Sequence, residues 1–194
     1  MSDYTVLHQV NEGLRQLLLS GMTDDAALII NSINVIHVGS PKETAEANST
    51  TQPKRLSLFL YQITEDPFMK NRPEQRSNGV TQQRVPPMAL RFHYLITPYA
   101  DNAHANALIL GKVLETLYDN STLTIEDPLT QQTEEIRVIF ETLSLPELAE
   151  VWEALKEPYR LSLAYQVRVP RLESRRQLAA VPVGEAEAAY GNVP

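Results

Sequence analysis

Between Pro86 and Asn120 the chain changes period once, and that change limits the folds open to it. Met88, Leu90, Phe92, Tyr94 and Ile96 alternate with Ala89, Arg91, His93, Leu95 and Thr97. A period of two puts the first set on one fully apolar face of a strand. Pro86 and Pro87 precede this strand and Pro98 closes it, because a residue without an N–H cannot donate to a ladder. Beyond Pro98 the spacing becomes helical: Ala103, Ala107, Leu110, Leu114 and Leu117 form one stripe, with Asp101 or Asn102 placed to cap the helix. A strand that runs directly into a long helix folds that helix back over the sheet, so the stretch calls for a compact α/β domain.

The flanking sequence supplies partners for it. Residues 3–20 read as an amphipathic helix with Leu7, Val10, Leu14, Leu17 and Leu18 on one side, Ser2 or Asp3 as its cap and Gly21 as its stop. Ile33–Val38 reads as a strand, and Pro41–Pro53 as an exposed polar loop. In Arg55–Thr64, Leu56, Leu58 and Leu60 oppose Phe59, Tyr61 and Ile63, so both faces are apolar and a central, doubly covered strand is expected. Leu123 and Ile125 suggest a short strand, and Glu135–Thr142 a longer one. Ser144 and Glu147 have the spacing of a capping box, with Pro146 in the first turn, ahead of a helix carrying Leu148, Val151, Trp152 and Leu155. Tyr159–Val169 alternates as a last strand. The expected fold is therefore α/β of the α+β kind: a mixed, largely antiparallel sheet of four to five strands with packed helices. Residues 1–169 form one domain and 170–194 a C-terminal extension or arm.

Composition narrows the chemistry. The 194 residues are 43% hydrophobic and contain no cysteine, so disulfides and thiolate chemistry are excluded. No apolar run is long enough for a transmembrane helix, and the first twenty residues lack the form of a secretory signal, which argues against direct membrane insertion. Neither a GxSxG elbow nor a glycine-rich phosphate loop is present. His8, His37, His93 and His104 have no metal-ligand spacing. Asp101 with His104 reads as a helix cap rather than a catalytic pair. No catalytic, cofactor-binding or metal-ligating residue is therefore assigned, and no cofactor is expected.

The net charge of -7 speaks against nucleic acid as a partner. That charge is unevenly distributed. Lys70–Arg84 holds Lys70, Arg72, Arg76 and Arg84 against Glu74 alone, a net +3 that leaves -10 for the remainder. The segment lies within the longest irregular stretch, Asp66–Pro87, which joins two strands that a short hairpin turn could have linked. Arg171, Arg175 and Arg176 open the tail. These seven cations are the candidate partner-binding residues, since a basic segment on an acidic body suits a locally acidic partner surface.

The same central stretch resembles a signature of the cap, or tail-terminator-like, proteins of contractile injection systems, the phage-tail-like particles that drive a tube through a target envelope. The matching elements are Pro86-Pro87, the block His93-Tyr94-Leu95-Ile96-Thr97-Pro98-Tyr99-Ala100, and Leu110-Gly111 followed by Leu114 and Leu117. Leu58-Phe59-Leu60-Tyr61 and Tyr159-Arg160-Leu161-Ser162 also fit, so the likeness runs from the first helix to about Val169. It implies a structural protein, not an enzyme, that ends the tube and sheath as a homo-oligomer, a hexameric ring, with sheath and inner-tube proteins as partners. It also implies assembly in the cytoplasm before release as part of the particle. The competing reading is a small-ligand-binding or hydrolytic α/β domain whose site is distributed along the chain.

Overall fold

The computed structural model describes residues 4–23, 32–48, 53, 55–69, 82–84, 88–126, 133–172 and 177–179. Its framework is a six-stranded sheet in the order β1 (Ile36–Val38), β2 (Leu56–Glu65), β4 (Met88–Pro98), β7 (Leu163–Leu172), β6 (Thr133–Glu141) and β5 (Thr122–Glu126). β1 and β2 run parallel and every other neighbouring pair is antiparallel, so the sheet is mixed and largely antiparallel. Two short strands, β3 (Gln82–Arg84) and β8 (Gln177–Ala179), form a separate antiparallel ribbon. The fold class is as expected, but the sheet has six strands, not four or five. The difference arises because both short strands read around Ile33–Val38 and Leu123–Ile125 join the one sheet, as its edges β1 and β5.

β4, the strand of the signature stretch, sits between β2 and β7. Helices α1 (Val6–Met22) and α3 (Ala103–Asp119) cover one face. α1 buries Val6, Val10, Leu14, Leu18 and Met22, a strict i, i+4 row. α3 adds Ile109, Val113 and Leu117, and the sheet adds Leu56, Leu58, Phe92, Tyr94, Ile96, Tyr165 and Val167 to the same apolar cluster. Each such side chain, fully buried, contributes about 1.5–3 kcal/mol. Two helical expectations shift. α1 continues through Gly21, which marks a close crossing with Thr116 of α3 and not a stop. The inward stripe of α3 is Ile109, Leu110, Val113, Thr116 and Leu117, which leaves Ala103, Ala107 and Leu114 exposed.

On the second face, Ser57 Oγ donates to the Gly39 carbonyl at 2.9 Å, just ahead of α2 (Pro41–Ala47). Helix α4 (Leu145–Leu155) buries Trp152. α2 occupies sequence expected to be a loop; its start is a complete capping box, Ser40 with Glu43, with Pro41 in the first turn. A β-bulge at Tyr61 breaks the alternation of β2: Leu60 pairs with Tyr94 but Gln62 pairs with His93. Ile63, opposite Phe92, thereby joins the face of Leu58 and Leu60 instead of that of Phe59 and Tyr61. β7 begins later than expected, leaving Tyr159 and Leu161 exposed. It also ends later, running through Pro170 to Leu172. Its register against β4 shifts between the pairs Leu90–Val169 and Met88–Leu172, and such an irregularity tolerates a residue that cannot donate.

Candidate interaction surfaces

The Thr97-Pro98-Tyr99-Ala100 block works as a junction between layers. Thr97 is fully buried on β4. The buried Tyr99 donates its hydroxyl to the Pro41 carbonyl at 2.8 Å, tying the β4–α3 corner to α2, and the Arg160 guanidinium lies 5.0 Å from its ring centre. The Tyr99 backbone N–H bonds the Arg55 carbonyl at 2.7 Å, while Arg55 reaches Asp101 at 2.8 Å. Asn102 caps α3 by accepting from the Ala105 N–H, and Asn106 accepts from the Ala100 N–H. Asp101 thus pairs with Arg55, and the capping oxygen is that of Asn102. Three positions before Thr97, on the other face of β4, the Tyr94 hydroxyl donates to Asn11 of α1 at 2.7 Å. The motif residues therefore fix geometry across both faces of the sheet.

Sequence reasoning missed a polar relay on the second face. Glu141 lies 2.9 Å from His93 Nδ1, and His93 Nε2 lies 3.0 Å from the Thr64 hydroxyl. A carboxylate only accepts, so Nδ1 carries the proton shared with Glu141 and Nε2 is completed by Thr64. The Tyr61 hydroxyl donates to Glu141 at 3.5 Å, and burial together with that carboxylate pushes its pKa up to about 12. Hydroxyl, imidazole and carboxylate stand in the order of an acyl-transfer relay. Here, however, Thr64 and His93 sit within paired strands, and the chain of bonds satisfies the buried imidazole of His93 and its half-buried partners. The detectable signal was the inward phase of Thr64 and His93, which the Tyr61 bulge concealed.

The long basic segment leaves the sheet at a clamp. Asp66 is buried, accepts from Arg91 at 2.8 Å and from the Phe68 N–H at 3.0 Å, and its pKa is lowered, chiefly by the Arg91 bond. Phe68, exposed, lies 5.5 Å from the same guanidinium. The segment returns through β3, whose last residue, Arg84, pairs in register with Gln177 of β8. Arg171 lies on β7 beyond Pro170. Lys70, Arg72, Arg76, Arg175 and Arg176 fall outside the described residues. The ribbon thus joins the end of the basic segment to the tail, two stretches the sequence offered as separate partner contacts. Among the described residues, β1 pairs with β2 only over Leu56–Leu58, so the backbone of Phe59–Thr64 has no partner strand among them on that side. No group of His, Asp and Glu among the described residues is placed to hold a metal ion, and no described helix is long and apolar enough to cross a membrane.

With this geometry established, comparison with known proteins is decisive about family. The Pvc16 N-terminal domain profile matches residues 9–185. The chain belongs to the Pvc16 N-terminal domain family. Its match takes in the signature stretch, the basic segment and the first part of the tail. The fold of this Pvc16 N-terminal domain is similar to that of the PVC sheath/tube terminator of an extracellular contractile injection system in its extended state. That likeness has a TM-score of 0.61 and 22% identity, covering 100% of this chain and 66% of that one. It is also similar to the tube-terminating cap of the anti-feeding prophage, with a TM-score of 0.57 and 21% identity over 97% of this chain and 61% of that one. The chain thus spans less than two thirds of the length of either protein. No protein of curated function matches it.

Proposed function

We propose that this chain is a cap: a structural protein that ends the tube and sheath of a contractile injection system and stabilises the finished particle. The observation that carries the reading is the family match from residue 9 to 185; the agreement in fold with two terminators along nearly the whole chain supports it. In this reading the protein acts as a surface and not as an enzyme, with sheath and inner-tube proteins as partners. The molecule forms a closed homo-oligomeric ring, a hexamer if it follows a six-fold tube, through head-to-tail contacts. The edge at Phe59–Thr64, without a partner strand among the described residues, is of the kind that a neighbour covers. Residues 1–169 form the cap domain, and residues 170–194 an arm. The cations Lys70, Arg72, Arg76, Arg84, Arg171, Arg175 and Arg176 serve attachment. Assembly takes place in the cytoplasm, and the cap then travels with the extracellular particle.

Deleting the chain and imaging the particles tests the reading. Overlong or unstable tubes are expected; tubes of normal length and integrity refute it. Reversing Arg72, Arg76 and Arg84 to glutamate should leave the fold intact and weaken attachment to the particle, whereas normal capping by that variant would make the basic segment a spacer.

A further inference from the structure

One cross-strand row of the sheet is set mainly with arginine. Thr64 of β2 pairs with Arg91 of β4, Arg91 with Arg168 of β7, Arg168 with Arg137 of β6, and Arg137 with Thr122 of β5. Residues directly opposite in a ladder share a face, and this row lies on the second one, the side of His93. Three guanidiniums therefore rise from neighbouring strands about 4.7–4.9 Å apart. Like charges directly opposite each other destabilise a sheet, so the row calls for negative charge.

The domain supplies little of it. Asp66 meets Arg91 at 2.8 Å. Arg168 and Arg137 are exposed and form no ion pair among the described residues. Arg168 Nε donates to Gln166 at 3.0 Å, a neutral acceptor that leaves the charge unopposed. Glu135 shares the face of Arg137 on β6 without pairing with it, and Glu141 further along that strand is engaged by His93. Arg91 Nε is buried without a hydrogen-bond partner among the described residues. Apolar groups border the row. Phe68 is 84% exposed and lies 5.5 Å from the Arg91 guanidinium, and Ile139, half-buried, follows Arg137 on the same face. Arginine beside an exposed aromatic ring is the composition that protein contacts favour. None of these three arginines belongs to the basic segment or to the tail.

We infer that the Arg91–Arg168–Arg137 row, with Phe68 at its margin, binds an acidic, carboxylate-bearing segment of a partner protein. Arg91 already grips a carboxylate at 2.8 Å, and the forked guanidiniums of Arg168 and Arg137 are free to grip two more. Carboxylates on alternate residues of an extended peptide stand about 6.6–6.8 Å apart, within reach of two long side chains on adjacent strands. Phe68 receives an apolar side chain next to them. A polyphosphate fits less well, because the chain carries a net charge of -7 and the exposed Glu135 stands on the same face. The contact needs neither ring nor tube, so it stands or falls separately from the cap function.

Calorimetric titration of the full chain with a short, end-blocked peptide alternating glutamate and valine tests it. Wild type should bind with an affinity that falls as salt rises, and a peptide alternating glutamine and valine should not bind. Arg137→Glu with Arg168→Glu should weaken binding at least about tenfold, because like charges then meet. Phe68→Ser should weaken it with little change in salt dependence. Arg137→Glu alone places a carboxylate opposite Arg168, so it should raise the urea midpoint while lowering affinity, a combination that damage to the fold cannot produce. A wild type that ignores the glutamate peptide at the highest attainable concentration overturns the inference, as does a double variant that binds equally well or a urea midpoint lowered by Arg137→Glu. Tighter binding of tripolyphosphate than of the peptide overturns it in favour of a phosphate ligand. Binding that appears only after Glu185→Gln and Glu187→Gln overturns it as well, since the chain's own tail would then be the occupant.

Discussion

Gly21→Ala should destabilise the protein, although alanine is the better helix former. Gly21 lies in the last turn of α1, where the helix crosses α3. A Cβ placed there would stand 2.5 Å from Thr116 Cγ2 and 3.0 Å from Thr116 Cβ, and closer still to Thr116 Oγ1. Ordinary contact begins near 3.4 Å, so the helices would have to separate by about an ångström or Thr116 would have to leave its well. Rotation offers little relief, because a β-branched side chain in a helix has few rotamers and each keeps a heavy γ atom near the crossing. Separation loosens the packing around Leu18 and Met22 on α1, both fully buried, and Leu117 on α3. Overpacking of this kind costs about 1–3 kcal/mol, and three Thr116 atoms at or inside 3.0 Å place it in the upper part of that range, about 2–3 kcal/mol, against a helix-propensity gain of about 1 kcal/mol. The expected net loss is about 1–2 kcal/mol by urea denaturation, with an unchanged m-value. Thr116→Ala supplies the control. It removes both crowding γ atoms and a buried hydroxyl that has no hydrogen-bond partner among the described residues, so alone it should be close to neutral. In the double variant most of the loss should disappear, a coupling of about 1–2 kcal/mol. A Gly21→Ala protein as stable as wild type, or a double variant no better than the single one, would refute the close crossing.

Two further perturbations probe the second face and the clamp. Glu141→Gln should bring the Tyr61 pKa down from about 12, read by alkaline spectrophotometric titration with Tyr61→Phe identifying the signal; an unaltered titration contradicts the relay. An unfolded tyrosine ionises near about 10, so the raised folded value makes Tyr61 a source of stability that is lost as pH rises above that point. Arg91→Met should cost about 3 kcal/mol near neutral pH, because it strands the buried Asp66 carboxylate. The folded pKa of Asp66 is depressed, so its stabilisation is present above the unfolded value of about 3.9 and is lost as pH falls through the folded one. The gap between wild type and variant should therefore narrow in acid; a gap independent of pH would mean that the pair is not what holds the clamp.

The local elements were legible where one physical rule acted over a long stretch. β4 and α3 follow from a single change of period, and the cap at Asn102 from its side chain. The capping box of α4 was read from Ser144 and Glu147, yet the same spacing at Ser40 and Glu43 went unread because the composition around it looked like a loop. Family membership was legible for a related reason: Thr97, Tyr99 and their neighbours each meet a fixed packing demand, so the residues themselves carry the signature. What the sequence determined by itself was therefore period, capping and sign of charge, all properties of residues a few positions apart. Only the tertiary structure decided how α1 crosses α3 at Gly21, that the bulge at Tyr61 brings Thr64 onto the face of His93, and that the ribbon unites Arg84 with the tail. These are matters of register and contact between segments far apart in the chain. No periodicity encodes them, because a one-residue shift in a strand reverses which side chains meet.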